Sequence, residues 1–159
     1  MFEGKLKFKV EKDDSADSIT IKAYVDKQKV GDIIIQEVYG FEGFFEGFTT
    51  EETYIELIPD DRYLEIKSIF VDRDWRNQRI SNKMLTKLFP IVKKYYPGYR
   101  DIVLWASPFS CYMGNHLELS VLKKLYEKFG FITLEINKIV DDQKFEYDFN
   151  IMTRKINLD

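Results

Sequence analysis

An apolar run that passes through a short cationic turn into a helical pattern is the feature that most constrains this fold. The run covers residues 66–71, and the helical pattern begins near Ser81. A strand that turns directly into a helix presents several free backbone N–H groups at one place, where the helix dipole adds partial positive charge. Four cationic residues crowd the turn: Arg73, Arg76, Arg79 and Lys83. The turn is therefore a candidate seat for a phosphate or pyrophosphate.

The hydrophobic pattern on either side of the turn predicts one mixed sheet. Strands are predicted at residues 5–12, 18–25, 30–39, 63–71, 101–106, 132–140 and 144–156, the last two forming a hairpin turned at Asp141 and Asp142. Helices are predicted at residues 81–96 and 117–128, the second with Leu117, Val121, Leu122, Leu125 and Phe129 on its buried side. Pro90 lacks an N–H group, so it is expected to kink the first helix or to begin a second segment. Strands followed by alternating helices and strands predict an α+β fold.

Length and composition favour one globular domain over residues 1–159. The apolar content of 45% and the aromatic content of 16% are enough for a substantial core. No apolar run approaches the roughly 18 residues that a membrane helix needs. The single cysteine, Cys111, excludes an internal disulfide, and the first residues lack the apolar stretch of a signal peptide. These features predict a cytoplasmic protein.

Charge is distributed unevenly along the chain, although the net charge is only −3. Residues 1–62 contain 8 basic and 15 acidic side chains, whereas residues 63–139 contain 13 basic and 7 acidic ones. The basic middle suits an anionic cofactor, and the acidic first third suits a cationic acceptor such as an amine. Uneven surface charge without a function is the alternative for both regions. Since the basic residues cluster at one turn, nucleic-acid binding is not expected.

Three segments resemble the GNAT N-acetyltransferase superfamily. The turn resembles its acyl-coenzyme A motif, Arg/Gln-x-x-Gly-x-Gly/Ala after a strand that ends in valine. Arg76 takes the first position, Arg79 the first glycine position and Ser81 the last position. Residues 125–131, Leu-Tyr-Glu-Lys-Phe-Gly-Phe, resemble a later family signature, and residues 152–156 resemble its closing strand. The resemblance covers roughly residues 30–156, with a degenerate coenzyme motif.

This resemblance implies a GNAT-like mixed, mostly antiparallel sheet with flanking helices. No helical pattern separates the first two strands, so the family's first helices, which help to form the acceptor site, are expected to be reduced or absent. The implied cosubstrate is acetyl-CoA, with no metal, and the implied reaction is direct attack by a primary amine in a ternary complex. The amine belongs to a small molecule or a protein; no membrane partner is expected, and an oligomer remains open. The residues implied to hold the coenzyme are Ile69, Phe70, Val71, Arg76, Asn77, Gln78, Arg79, Ile80, Ser81 and Asn82.

Two residues are implied to carry the proton transfers. Glu65 precedes Arg76 by 11 residues, which resembles the placement of the catalytic base in the histone-acetylating branch of the family. On a regular strand its side chain shares a face with Lys67, Ile69 and Val71; a simple ion pair with a lysine is the alternative role. Tyr126 matches the tyrosine that often protonates the leaving thiolate. Packing against the neighbouring strand is its alternative role.

The altered motif positions leave questions open. Arg79 either swings outward to pair with phosphate oxygens or fills the pocket that glycine leaves empty. Asn77 suits a tight turn because asparagine tolerates left-handed backbone angles. Ser81 either caps the helix or donates to a phosphate. If the changes abolish coenzyme binding, the chain is instead a catalytically inactive GNAT-fold binding module that acts on a protein partner.

The candidate acceptor loop spans residues 40–62. It is rich in glycine, aromatic and acidic residues, and a short helix capped by Thr49 or Thr50 is predicted within it. Long ordered loops are often functional, although an aromatic flap over the edge of the core is the alternative. Other candidates carry less weight: Glu46 and Glu37 as reserve bases, His116 as a proton shuttle, Cys111 as a nucleophile, and Lys123 and Lys124 as contacts for the 3′-phosphate.

Overall fold

The chain folds around a seven-stranded sheet with three α-helices. The computed structural model describes residues 5–47, 49–76, 78–106, 119–134, 139–140, 143–144 and 150–157. The strands are β1 (Leu6–Asp13), β2 (Ser18–Val25), β3 (Gln28–Tyr39), β4 (Arg62–Val71), β5 (Asp101–Ala106), β6 (Ile132–Thr133), β7 (Ile139–Val140), β8 (Gln143–Lys144) and β9 (Asn150–Lys155). The helices are α1 (Glu51–Leu57), α2 (Ile80–Tyr95) and α3 (Leu119–Glu127). Short 3₁₀ turns occupy Phe41–Gly43, Phe45–Gly47 and Arg73–Trp75.

The strand order of the main sheet is β1-β2-β3-β4-β5-β9-β6. Every neighbouring pair is antiparallel except β4 and β5, which are parallel. The last strand in the chain therefore lies between β5 and β6, and β7 pairs with β8 in a separate ribbon. The predicted α+β fold with a mixed, mostly antiparallel sheet is confirmed.

The chain enters the sheet without any helix between the first two strands. Residues 14–17 form the turn between β1 and β2, so the expected loss of the family's first helices is confirmed in this described segment. The helix of the first half is instead α1, which lies between β3 and β4. Among the described residues, no helix is long and apolar enough to cross a membrane.

Several local predictions need correction. Helix α2 runs through Pro90 to Tyr95 as one element, so no second segment begins there. Pro90 lies on the exposed side of the helix. One turn earlier, the Thr86 side chain donates a hydrogen bond from Oγ1 to the carbonyl oxygen of Asn82. The predicted buried side of α3 was wrong at Val121, whose side chain is 49% exposed, whereas Leu122 and Tyr126 are buried.

Each face of the sheet carries its own hydrophobic cluster. The α2 face carries the large one, built from alternate residues of the central strands together with Met84 and Leu85 of α2 and Leu122 of α3. The α1 face carries a small cluster that includes Phe45 and Tyr54. Because side chains alternate along a strand, neighbouring residues of β4 enter opposite clusters. Tyr63 belongs to the small cluster and Leu64 to the large one.

A β-bulge interrupts this alternation in the middle of β4. Ile35 pairs with Ile66 and the preceding residue Ile34 pairs with Ser68, so Lys67 has no counterpart on β3. The extra residue shifts the pleat by one position. As a result Ile66 and Ile69, three residues apart, both belong to the large cluster. The bulge lies where β4 stops pairing with β5.

Candidate functional site

The central strands β4 and β5 are paired over only part of their length. Their parallel pairing consists of Leu64 with Ile102 and Glu65 with Val103. Beyond these pairs, residues 66–71 continue beside β3 without a partner residue on β5. Among the described residues, no strand pairing uses the backbone groups on that side of β4, so they are candidates for contacts with a ligand. Ile69, Phe70 and Val71, the expected contacts of the pantetheine arm, lie on this unpaired stretch.

The turn after β4 brings the strand end and the start of α2 together. The Asp72 backbone N–H donates to the Val30 carbonyl at 2.8 Å, and the Trp75 N–H donates to the Asp72 carbonyl at 2.8 Å. Arg76 folds back so that its Nε donates to the Val71 carbonyl at 3.2 Å. Thus Arg76, the first residue of the motif, ties the turn to the strand that precedes it.

Arg79 adopts a left-handed backbone conformation, which glycine adopts without strain. It is the N-cap residue of α2, with φ 60° and ψ 25°, and it makes no side-chain cap hydrogen bond. A non-glycine residue in this region costs about 1 kcal/mol, so the chain keeps the turn geometry despite the arginine. Arg79 is exposed, which favours the outward orientation over a side chain buried in the turn. Ser81 lies inside the first turn of α2, so its predicted capping role was wrong.

Two buried amide oxygens near the start of α2 have no hydrogen-bond partner among the residues that the structure describes. They are Oε1 of Gln78 and Oδ1 of Asn82. Buried acceptors usually find a donor, so their state fits a place where a ligand completes the hydrogen bonding. In α2 the first N–H groups, from Ile80 onward, also lack partners within the helix. Asn77 lies outside the described residues.

Glu65 is half-buried on the α1 face of β4. It alternates with Tyr63 of the small cluster, and the bulge at Lys67 puts Ile69 and Val71 on the opposite face. The expectation that Glu65 shares a face with Ile69 and Val71 was therefore wrong, because a regular alternation was assumed. Burial raises the pKa of the Glu65 carboxyl, and the charge of Lys67 opposes that shift. A carboxylate with a raised pKa is better matched to proton transfer near neutral pH.

Tyr126 lies on the other face, at the α3 end of the large cluster. It is 6% exposed, and its ring packs edge-on against Phe131 with centroids 5.9 Å apart. Burial raises the pKa of its phenol, so the hydroxyl stays protonated at neutral pH. The packing role of Tyr126 is present in the structure, and a proton donor is compatible with it. Glu65 and Tyr126 thus lie on opposite faces of the sheet.

The candidate acceptor loop folds over the start of β4. The Gly40 N–H donates to the Asp61 carbonyl at 3.0 Å, which closes the loop at its base. Helix α1 is capped by Thr50, whose Oγ1 accepts from the Thr53 N–H at 3.3 Å, so the capping prediction is confirmed for Thr50. Phe45 and Tyr54 are buried against Tyr63. The loop therefore covers the edge of the core, as the flap alternative requires.

The remaining candidates lie away from this arrangement. Glu37 accepts a hydrogen bond from the Tyr99 hydroxyl at 2.7 Å on the α2 face. Lys124 is exposed and Lys123 partly so on α3. Cys111 and His116 lie outside the described residues. Within the described part of the chain, no three His, Cys, Asp or Glu side chains gather to hold a metal ion.

One residue that the sequence reasoning missed lies beside the unpaired strand. Trp105 follows Val103 by two residues on β5, so it shares the α1 face with Glu65, and it is 46% exposed. A buried strand was predicted here, and its apolar sequence hides the one outward position. Ser68 and Phe70 share that face as well, because of the bulge. A sequence signal for the bulge was absent.

Comparison with known proteins identifies the architecture. No family model and no curated protein matches the sequence. The fold is similar to the ribosomal-protein-S18-alanine N-acetyltransferase of Escherichia coli, with TM-score 0.56 and 15% identity over 90% of this chain and 72% of that one. It is also similar to Arabidopsis thaliana NAA60 in complex with acetyl-CoA, with TM-score 0.55 and 13% identity over 89% of this chain and 77% of that one.

A third solved structure covers nearly the whole chain. It is a GNAT family acetyltransferase from Elizabethkingia anophelis with acetyl-CoA bound, with TM-score 0.59 and 12% identity over 95% of this chain and 98% of that one. At such low identity the likeness concerns the fold. This chain therefore has the fold of the GNAT acetyltransferases, in a strongly diverged sequence.

Proposed function

We propose that the protein is an N-acetyltransferase that transfers an acetyl group from acetyl-CoA to a primary amine by direct attack in a ternary complex. The observation that carries this proposal is the unpaired half of β4, which leads into a helix start of left-handed geometry at Arg79. Backbone groups along such a strand suit an extended amide-containing arm, and the helix start suits a pyrophosphate. Acetyl-CoA contains both, and it supplies the acetyl thioester.

The coenzyme is assigned to residues on both sides of the turn. Backbone groups of Ile69, Phe70 and Val71 hold the pantetheine arm. The N–H groups at the start of α2, including those of Ile80 and Ser81, hold the pyrophosphate. Further contacts are assigned to Arg76, Asn77, Gln78, Arg79 and Asn82. The unpartnered oxygens of Gln78 and Asn82 support this assignment, because a bound molecule that carries N–H groups gives them donors.

Two side chains are assigned to the proton transfers. Glu65 accepts the proton of the attacking ammonium, since its burial raises the pKa of the carboxyl toward the pH at which an amine needs deprotonation. Tyr126 donates its phenol proton to the departing thiolate. No protein nucleophile is required, because the amine attacks the thioester carbonyl itself. Loop residues 40–62 and Trp105 form the acceptor side, next to Glu65.

Calorimetric titration with acetyl-CoA tests the first step. We expect saturable binding that weakens as salt rises, because cationic side chains surround the turn. A comparison of coenzyme A with dephospho-CoA, which lacks the 3′-phosphate and keeps the pyrophosphate, separates the contribution of the 3′-phosphate from that of the rest of the coenzyme. If millimolar acetyl-CoA gives no binding, the enzyme assignment fails and the inactive binding module takes its place.

Arg79 provides a sharper test because its backbone and its side chain make separate contributions. Arg79→Ala should weaken coenzyme binding by about 1–2 kcal/mol through loss of a charge-assisted hydrogen bond. Arg79→Gly should weaken binding similarly while raising the free energy of unfolding by about 1 kcal/mol, since glycine tolerates the positive φ. Tighter coenzyme binding by Arg79→Gly would identify the arginine as an obstruction. Calorimetry and urea denaturation of the same samples give both quantities.

A further inference from the structure

A cavity lies at the far end of α2 from the turn. It has a volume of about 740 Å³, and its lining includes Phe89, Pro90, Lys93, Pro97, Arg154 and Ile156. Phe89 follows Ile80 by nine residues, which corresponds to about 13 Å along a helix axis. The cavity also includes Lys155, which pairs with Asp101 at the beginning of β5. Since β4 and β5 are parallel, the cavity lies at the end of the sheet where β5 begins, opposite the end where β4 leads into the turn.

Arg154 is the unusual residue of this cavity. Its guanidinium carbon lies 3.6 Å from the ring centroid of Phe89, and a Cβ added at Gly130 would lie 3.2 Å from its Nε. The Arg154 side chain is half-buried, and burial lowers the pKa of its guanidinium. Among the described residues, Arg154 has the ring contact with Phe89 and no ion pair. A desolvated charge is costly unless an opposite charge or acceptors compensate it.

The described residues around Arg154 do not supply that compensation. Among them, no acidic side chain lines the cavity. The nearby Lys155 is already paired with the buried carboxylate of Asp101. Lys93 adds a further positive charge on α2. The cavity is thus cationic at its base, while Phe89, Pro90 and Pro97 give it apolar walls.

We propose that this cavity binds a small organic oxyanion, a phosphate monoester or carboxylate carried on an apolar body. A guanidinium presents parallel N–H donors that match two oxygens of a phosphate or carboxylate. Stacking on Phe89 holds the guanidinium plane in one orientation, so the fork is already positioned before the ligand arrives. The apolar body packs against the proline and phenylalanine walls. This site is separate from the proposed coenzyme turn and does not depend on it.

Titration of the full chain with three probes tests the site: phenyl phosphate, benzoate and inorganic phosphate. We expect phenyl phosphate or benzoate to bind at least tenfold more tightly than inorganic phosphate, because only they fill the apolar walls. Comparison of the first two probes tells whether the site prefers a phosphate or a carboxylate. If inorganic phosphate binds as tightly as phenyl phosphate and benzoate, the apolar body contributes nothing to binding and the proposal is overturned.

Substitutions of single cationic residues test whether the preferred probe binds at Arg154. Arg154→Gln should weaken the preferred probe at least tenfold, and Arg154→Lys should weaken it less, since charge is kept while the fork is lost. Arg100→Gln is the matched control and should leave binding of the probe unchanged. Arg100 is exposed, and its Nε lies 3.8 Å from Oδ2 of Asp60. Should Arg154→Gln fail to fold, Lys93→Gln, at an exposed position, is expected to weaken the probe by a few fold.

The coenzyme turn is the competing location for an anion. Arg73→Gln changes the charge of that turn and should leave the affinity for the preferred probe unchanged. Probe binding that is lost in Arg73→Gln and kept in Arg154→Gln would overturn the proposal. Absence of binding by all three probes at 10 mM, a concentration of the order used for weak ligands, would overturn it as well.

Discussion

The two faces of the sheet differ in what their buried residues do. The α2 face holds a continuous apolar cluster that joins six of the seven strands to α2 and α3. The α1 face holds a small cluster of aromatic and aliphatic residues beneath α1. Beside this small cluster, the α1 face of β4 carries the partly buried polar side chains of Glu65 and Ser68. The neighbouring positions of β4 that face α2 are apolar. The α2 face therefore provides most of the buried apolar surface that stabilises the fold, and the α1 face carries polar side chains that could take part in a reaction.

The largest effect is expected for Glu65→Gln on the α1 face. Turnover of an acceptor amine should fall by roughly 10²–10⁴-fold, the range typical of a general base, and most strongly at the low-pH end where the amine is protonated. Release of coenzyme A from acetyl-CoA in the presence of an amine panel measures the rate. Full activity of the variant on a confirmed acceptor would remove Glu65 from the mechanism.

The stability of the same variant provides its control. In the folded state burial raises the pKa of Glu65, so the ionised carboxylate costs stability above that raised pKa, and the cost vanishes below the unfolded value of about 4. Glu65→Gln should therefore unfold at a higher temperature at pH 7 and not at pH 3.5. Thermal melts at the two pH values separate lost chemistry from lost folding.

The counterpart on the α2 face is Tyr126→Phe. The phenol is assigned to the departing thiolate, so turnover should fall by roughly 10²-fold, the lower end for a general acid. Affinity for acetyl-CoA should stay nearly unchanged, because the ring that packs on Phe131 is retained. Steady-state rates and calorimetry test the two parts. A loss of affinity equal to the loss of rate would assign Tyr126 to binding alone.

Gly31→Ala tests the close approach of β3 and β4 on the α2 side. An added Cβ would lie 2.6 Å from the carbonyl oxygen of Phe70 and 3.2 Å from Cε of Met84. The backbone oxygen cannot move without disturbing β4, so we expect a loss of about 1–3 kcal/mol in the free energy of unfolding. Gly98→Ala is the matched control, because its Cβ would meet only the flexible Arg62 side chain at 3.0 Å. Urea denaturation measures both.

The smallest effect is expected at the cap of α1. Thr50→Ala removes the acceptor of the Thr53 N–H and should cost about 1 kcal/mol. Hydrogen exchange should accelerate in α1 and remain unchanged in α2, if the α1 face opens as a separate unit. Thr86→Ala, at an exposed position of α2, is the control, with an effect within about 0.5 kcal/mol. Equal acceleration in both helices would show that the two faces unfold together.

Alternation and helical periodicity were sufficient to predict most of the fold. The strand at Ser18–Val25 was predicted with its correct ends, and a short helix capped by Thr49 or Thr50 was predicted from its cap, which the structure places at Thr50. A helix over residues 81–96 was predicted, and the effect of Pro90 was left between a kink and a second segment; Leu88 and Val92 are buried on either side of Pro90, and α2 continues through it. The placement of β9 between β5 and β6 depends on contacts distant in sequence, which periodicity does not report.

The sequence predicted where in the chain the candidate site lies, but it did not predict the backbone geometry of the turn or the face on which each side chain lies. The cations and the strand-to-helix change marked the turn, because both are local patterns. The left-handed geometry of Arg79 was hidden, since the residue type argues against it. The face on which Glu65 lies depends on an extra residue in β4, and a bulge leaves no signature in apolar alternation when its residue is a lysine beside another polar side chain.

The bulge at Lys67 has a consequence for insertions and deletions in this gene. Removing one residue from a loop usually shortens a connection, whereas removing Lys67 restores a regular pleat. In the shortened strand Ile66, Ile69 and Val71 would still face the large cluster, and Ser68 and Phe70 would still lie on the α1 face. Deletion of one residue is therefore expected to be tolerated better at Lys67 than at the regularly paired positions of β4, where it would turn the rest of the strand to the opposite face.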